Sequence, residues 1–146
     1  MTTSRLHSSL LPAAKRLSPL GRWLAGLQLV KETLTIVLLG VPLLLAQPVL
    51  APAALPGVVL YLYRWGLALG QLTRRAAAVV WLLTMLDEVW GLVLYLNVVD
   101  EPTARQLHYL NWSYGLGLAF TLTALAEIYL GRRRERRHLR ALMRAA

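Results

Sequence analysis

The sequence predicts an all-α integral membrane protein, an antiparallel four-helix bundle with both termini in the cytoplasm. Three observations lead to this prediction: 57% of the 146 residues are hydrophobic, the apolar residues gather in four segments, and positive charge alternates from one connection to the next. Charged residues make up only 16% of the chain, against about 25% in a typical soluble domain. Class and orientation are thereby predicted, whereas no motif assigns an activity.

The four apolar segments have the length of membrane-spanning helices. A hydrocarbon core is about 30 Å thick, and a helix rises about 1.5 Å per residue. The predicted spans are 23–46, 56–72, 76–98 and 107–130. Pro42 should kink the end of the first span, and Pro56 should lie in the first turn of the second. The membrane region as a whole, 23–131, is flanked by an interfacial N-terminal segment, 1–22, and a basic cytoplasmic helix, 132–146.

The positive charges set the predicted orientation. Arginine and lysine lie before the first span, at the turn Arg74–Arg75, and after the last span. The connection 47–55 has no charge, and the connection 97–106 carries two carboxylates against a single arginine. This alternation is the positive-inside pattern of a protein in the cell membrane. The basic residues should contact anionic lipid head groups of the bilayer, not nucleic acid: Arg74, Arg75, Arg132, Arg133, Arg134, Arg136 and Arg137.

Aromatic side chains flank the spans, as in the interfacial belts of membrane proteins. By position we expect Trp23, Trp81 and Tyr129 at the cytoplasmic interface, and Tyr61, Tyr95, Tyr109 and Trp112 at the outer one. We expect these residues to serve only as anchors.

Six ionisable side chains fall inside the apolar segments and form a predicted intramembrane polar cluster: Lys31, Glu32, Arg64, Asp87, Glu88 and Glu127. Each is costly in hydrocarbon and must face the bundle interior, a partner or water. Counted from the turn at Arg74–Arg75, Arg64 lies about 15 Å deep and Asp87 about 18 Å deep. Arg64 should therefore come within salt-bridge reach of Asp87 or Glu88.

Helical spacing places small or polar residues on one inward stripe of each span. The stripes are Gln28, Glu32 and Thr35; Gly57, Tyr61, Arg64, Ala68 and Gln71; Thr84, Glu88, Gly91 and Tyr95; and Ser113, Gly117, Thr121, Ala124 and Glu127. Four such stripes are what a bundle held by close contact and interhelical hydrogen bonds requires.

The buried charges have more than one interpretation. They could form a structural ion-pair network that fixes helix register, or line a path for a proton, an ion or a substrate, or hold the polar head group of a cofactor. Contacts with a missing partner subunit are a further interpretation. The surplus of carboxylates over cations favours protonation chemistry or an external cation.

Established catalytic patterns are absent from the sequence. The chain has no cysteine, and its three histidines lie in the tails or at the outer interface. Bis-histidine haem and a Glu-x-x-His di-iron site are therefore not expected. The sequence predicts no catalytic residue, no metal and no cofactor, and it favours a non-enzymatic role.

Gly66 and Gly70 form a GxxxG motif in the second span. On a helical wheel they lie about half a turn from Arg64. If Arg64 faces inward, the glycines face outward and permit close approach of another helix. The sequence therefore predicts a partner face at Gly66 and Gly70, in a homo-oligomer or a larger membrane complex.

The stretch 66–80, GLALGQLTRRAAAVV, resembles the helix-turn-helix centre of DoxX-like small four-helix membrane proteins. Lys31 in the first span is similar to a lysine of that family, and the likeness covers about a quarter of the chain. It departs at Gly26, which lies five residues before Lys31. The resemblance implies a membrane subunit that works with a redox partner.

Two functions follow from these patterns. The leading one is an accessory or assembly subunit that binds other membrane proteins of a redox or transport complex. The alternative is a small transporter or a proton- or ion-conducting protein that uses Lys31, Arg64, Asp87 and Glu88.

Overall fold

The computed structural model describes residues 17–145, and within them all regular structure is helical. The four long helices are α1, Pro19–Ala46; α2, Ala51–Ala68; α3, Arg74–Val98; and α4, Ala104–Ala145. A 3-10 turn, Pro48–Leu50, links α1 to α2. The predicted all-α class is confirmed. Most of the predicted interfacial segment, 1–22, lies outside the described residues.

Three of these helices are long and apolar enough to cross a membrane: α1, α3, and Ala104–Arg144 of α4. The fourth, α2, has only 18 residues, contains two prolines and Arg64, and is not among them. Large apolar side chains nevertheless face outward on every helix, among them Val37, Leu62, Leu86 and Leu122. Soluble monomers rarely expose contiguous apolar surface on this scale. The surface is that expected of a membrane protein.

Capping side chains, not hydrophobicity, set where the helices begin. The Ser18 hydroxyl accepts a hydrogen bond from the Gly21 N–H at 3.0 Å, so α1 starts at Pro19 instead of residue 23. Thr103 and Gln106 form a reciprocal capping box that starts α4 at Ala104, ahead of the predicted residue 107.

The start of α2 also differs from its prediction. The helix begins at Ala51 with Pro52 in its first turn, which leaves Pro56 inside the helix instead of at its start. A proline tolerates the first turn because the N–H it lacks would have no partner there. Pro52 therefore fills the role that the sequence suggested for Pro56.

Just before Pro42, where a kink was predicted, α1 contains a π-helical turn, Ile36–Gly40. The Val41 N–H donates to the carbonyl of Ile36, one residue farther back than in an α-helix. Pro42 follows directly, and its ring would crowd the carbonyl of Leu38 in a regular helix. The wider turn accommodates the proline without breaking the helix.

The GxxxG motif does not lie on one helical face, and that part of the prediction is wrong. Helix α2 ends at Ala68, and Gly70 follows it with φ of +72°. The Gly70 N–H donates to Leu67 and the Gln71 N–H to Gly66, the two bonds of a Schellman cap. A side chain on Gly70 would meet Arg22, and one on Gly66 would meet Leu72. Both glycines thus serve the turn between α2 and α3.

The helices form a closed ring in which α1 and α3 each pack against α2 and α4. Two groups of buried apolar side chains mark its ends. The sealed end consists of Leu17, Leu24, Ala25, Leu67, Ala77, Val80, Trp81, Ala124 and Ile128. The cavity end consists of Leu39, Tyr95 and Leu110. Helices α1 and α3 run from the sealed end to the cavity end, and α2 and α4 run back. Trp81, expected at an interface, is fully buried at the sealed end.

Candidate functional site

Arg64 lies at the centre of the bundle and is 1% exposed. Its Nη1 pairs with Glu32 of α1, and its Nη2 lies 3.3 Å from Oδ2 of Asp87 in α3. Its Nε donates a hydrogen bond of 2.9 Å to the Thr84 hydroxyl. One guanidinium thus ties α2 to both neighbouring helices. A buried arginine is tolerated when it is paired and hydrogen-bonded in this way.

A second ion pair adjoins the first. The Lys31 ammonium lies 2.5 Å from Oε1 of Glu88. Gln28, which has no exposed surface, donates from Nε2 to Glu88 at 2.5 Å and to Glu32 at 2.9 Å. The amide therefore connects the Lys31–Glu88 pair to the Arg64–Glu32 pair, and the five charges form one network across α1, α2 and α3.

Helix α4 adds no charge to this network, but it leaves space for the Glu88 carboxylate at Gly117. A Cβ atom on Gly117 would lie 2.6 Å from Cδ of Glu88 and would overlap both of its carboxylate oxygens. Glu88 can lie against α4 only because position 117 has no side chain. The neighbouring Gly115 has open space around it, with no atom within 4 Å of an added Cβ.

The structure brings together five of the six residues of the predicted cluster: Lys31, Glu32, Arg64, Asp87 and Glu88. The ion pair between Arg64 and Asp87 agrees with their matched depths. Glu127 lies apart: it is half-buried near the sealed end and has no ion pair or hydrogen bond to another described side chain.

The sequence did not assign a site role to four further residues: Gln28, Thr84, Tyr114 and Gly117. Gln28, Thr84 and Gly117 were on the predicted inward stripes, and that position was the signal. Tyr114 had no such signal, because it lies one residue beside the stripe of α4.

Four buried polar atoms have no hydrogen-bond partner within residues 17–145: Gln28 Oε1 and Glu88 Oε2 in the network, and Trp81 Nε1 and Thr121 Oγ1 outside it. Nearly all buried polar atoms in proteins have a partner, whether protein, water or ligand. The interior around Glu88 therefore has unused capacity to bind a proton, water or a polar ligand.

A cavity of about 260 Å³ extends from the network toward the connection between α1 and α2. The five charged residues form its floor. Thr35, Ser113 and Tyr114 add hydroxyl groups, and the walls are apolar, with Leu39, Leu43, Leu50, Val58, Leu94 and Leu110. The π-helical turn of α1 forms part of one wall, and such turns are frequent at functional sites. Apolar walls with a few convergent polar groups are typical of a small-molecule site.

A basic cleft lies at the opposite end of the molecule, where α3 begins. Its cationic residues are Arg74, Arg75, Arg132 and Arg136, and Arg74 pairs with Glu135. Arg133, Arg134 and Arg137 are exposed on the continuation of α4. The predicted lipid-contact residues thus lie together beyond the sealed end.

No family model, curated protein or solved structure matches this chain. The resemblance of residues 66–80 to DoxX-like proteins therefore stays a prediction. Function has to follow from the charge network, the cavity and the distribution of charge along the bundle.

Proposed function

We propose that this chain is an integral protein of the cell membrane and acts as a small transporter or proton-conducting protein. One observation carries the proposal: the five-charge network is the floor of a cavity at one end of the bundle, while apolar side chains fill the other end. Access from one side to a polar site near mid-depth is what a carrier presents in one of its states.

The charges at the two ends support a four-span topology with both termini in the cytoplasm. The turn at Arg74–Arg75 and the arginine run 132–137 lie beyond the sealed end. The connections at the cavity end, 47–55 and 97–106, hold a single basic residue, Arg105. By the positive-inside rule the sealed end faces the cytoplasm and the cavity faces outward. Helix α2 would be the fourth span, because it turns Arg64 inward and presents residues such as Leu62 to lipid.

The balance of charge supports a role beyond structure. Three carboxylates face two cations in the network, and Glu88 Oε2 has no partner within the described chain. An uncompensated carboxylate is costly in a low-dielectric interior. The surplus would be neutralised by taking up a proton or a cation, and that uptake is the chemistry of a proton-coupled site.

Cysteine accessibility tests orientation and sealing, because the chain has no native cysteine. Ser113→Cys, in the cavity, should react with a membrane-impermeant thiol reagent added from outside. Ala77→Cys, fully buried at the sealed end, is the matched control and should react from neither side. Labelling of Ser113→Cys from the cytoplasmic side alone would overturn the orientation.

Proton flux tests the activity. Purified protein in liposomes containing a pH-sensitive dye should relax an imposed pH gradient faster than empty liposomes do. Glu88→Gln should abolish this flux, since it removes the carboxylate with the unused oxygen. Glu135→Gln, at the far end of α4, should retain it. Wild-type flux equal to that of empty liposomes would contradict proton conduction.

A second candidate is an accessory or assembly subunit, and the length of α4 favours it. The helix has 42 residues and spans about 63 Å, roughly twice a hydrocarbon core. Its end carries exposed Leu139, Leu142 and Met143 among arginines. This spacing makes one apolar face, which suits a groove in a partner protein.

Purification in mild detergent distinguishes the two candidates. A subunit should co-purify with a larger membrane protein, and truncation after Gly131 should remove that partner while the bundle stays folded. A transporter should purify alone and retain flux after the same truncation.

A further inference from the structure

We infer that the cavity binds a small amphiphilic cation, an ammonium head group on an apolar body, with the head group against Asp87 and Glu88. This inference rests on the proposed transporter function and names the substrate class of that same site.

The charge network indicates that the ligand carries a positive charge. Arg64 is shared between Glu32 and Asp87, and Lys31 pairs with Glu88. One negative charge is left without a cation. A ligand cation on the cavity side would complete the network, whereas an anion would add to the excess.

Two carboxylate oxygens of the network have no ion pair or hydrogen bond among the described residues, and the one on Asp87 is placed to receive that cation. Asp87 uses Oδ2 for Arg64, and its side chain is the most exposed of the three carboxylates at 20%. Its Oδ1 faces Gly57, where an added Cβ would lie 3.3 Å away. Glu88 uses Oε1 for Lys31 and Gln28, and its buried Oε2 lies against Gly117 of α4 without a partner among the described residues, so Glu88 contributes negative charge beside the contact that Asp87 offers. Both residues line the cavity.

The cavity walls indicate that the remainder of the ligand is apolar. Above the floor they are mostly leucine, valine and alanine side chains. A bare inorganic cation would gain only from the carboxylates of the floor and the hydroxyl groups, and the apolar walls would add nothing to its binding. An alkyl or aryl group would instead gain from contact with them. Trp90 is also in the lining, and aromatic side chains of this kind attract cations.

The experiment compares three probes that share one apolar chain: hexylamine, which is an ammonium at neutral pH, hexanol and hexanoate. Each is titrated calorimetrically into the full chain in nanodiscs of zwitterionic lipid, with empty nanodiscs subtracted. Hexylamine should bind about tenfold or more tightly than hexanol, and hexanoate should not bind. Asp87→Asn and Glu88→Gln should each remove this preference, and Glu135→Gln should retain it.

A second variant pair covers the case in which a carboxylate variant does not fold. Gly57→Ala adds a methyl group beside Asp87 Oδ1 and should weaken hexylamine binding. Gly26→Ala, whose Cβ would have no atom within 4 Å, should not weaken it.

Equal affinity for hexylamine and hexanol would overturn the inference, because a proton would then neutralise the surplus carboxylate. The proposed function would not fall with it, because proton flux in liposomes tests that function separately. Binding of hexanoate would overturn the charge argument itself.

Discussion

The two halves of the bundle use the same four helices and differ in how they fill the space between them. At the sealed end, Ala25, Leu67, Ala77 and Trp81 have no exposed surface. At the cavity end only Leu39, Tyr95 and Leu110 form a buried apolar group, and a cavity lies beside them. The charge network lies at the boundary between the two halves.

The difference comes from backbone irregularity as much as from side-chain size. At the cavity end, α1 contains a π-helical turn and Pro42, and α2 starts with two prolines within six residues. The sealed end has capped, regular helix ends at Ser18 and Thr73. A regular half can hold charged residues in position while an irregular half leaves room for a ligand. The two halves should therefore respond differently to substitution.

The largest expected effect is at the boundary. Arg64→Ala would leave Glu32 and Asp87 without their shared cation and should destabilise the protein by about 3–5 kcal/mol, the range for breaking a buried ion pair. Thermal unfolding in detergent, followed by circular dichroism, measures it. Arg75→Ala, at an exposed site, is the control and should change stability by less than about 0.5 kcal/mol.

A compensated variant separates charge from packing. Arg64→Met with Glu32→Gln and Asp87→Asn removes all three charges and should recover much of the lost stability. An unfolding temperature for Arg64→Ala equal to that of wild type would show that the arginine does not hold the two halves together.

The next effect concerns the gap in α4. Gly117→Ala should push the Glu88 carboxylate away from α4 and away from Lys31, at a cost of about 1–3 kcal/mol, as for other overpacked interiors. Gly115→Ala, on the same helix with open space around it, should be neutral or stabilise by up to about 1 kcal/mol. The same unfolding assay compares them. Equal destabilisation by both substitutions would mean that helix α4 tolerates no alanine for reasons unrelated to Glu88.

A smaller effect is expected at the turn beyond the sealed end. Gly70→Ala places a side chain at positive φ and against Arg22, which should cost about 1 kcal/mol. Gly66→Ala makes only ordinary contacts with Leu72 and should not destabilise the helix. Unfolding temperatures decide between them, and sizing by light scattering should show no change in oligomeric state for either. Loss of an oligomer in both variants would instead support the prediction that Gly66 and Gly70 form a partner face.

The smallest effect should come from the ion pair outside the bundle. Glu135→Gln weakens a pair with Arg74 that is partly exposed, and such pairs contribute about 0–1 kcal/mol. The effect should shrink further at high salt, because exposed charges are screened. Denaturation at two salt concentrations measures both quantities. A cost as large as that of Arg64→Ala would show that the continuation of α4 is part of the folded core.

The depth of each charged residue along the helix axis was predictable from the sequence. Which neighbouring helix its side chain faces was predictable only in part. Counting residues from Arg74 put Arg64 level with Asp87, and their ion pair follows from that. Helical phase placed Gln28, Thr84 and Gly117 on inward faces. The pairing of Arg64 with Glu32 was not predictable, because it depends on how closely α1 approaches α2.

The helix ends, the position of Trp81 and the cavity depend on local backbone features and packing that the hydrophobic pattern does not show. Hydrophobicity alone does not show that Thr103 and Gln106 cap α4, or that α2 ends before Gly70. Trp81 matches an interfacial residue by position, yet the ring packs inward where α3 meets the other helices. The cavity was not predictable either, because its wall includes the π-helical turn that Pro42 imposes.

The close fit between Glu88 and Gly117 also constrains how this chain can change over time. The two positions lie on different helices, yet a Cβ at one excludes the carboxylate at the other. They should therefore vary together in any set of homologous chains, and a shorter residue at 88 should release 117 to accept alanine or serine. The order of substitution follows as well. Glycine at 117 is expected to precede glutamate at 88, because the opposite order passes through a chain in which the Glu88 carboxylate is displaced from its place against α4.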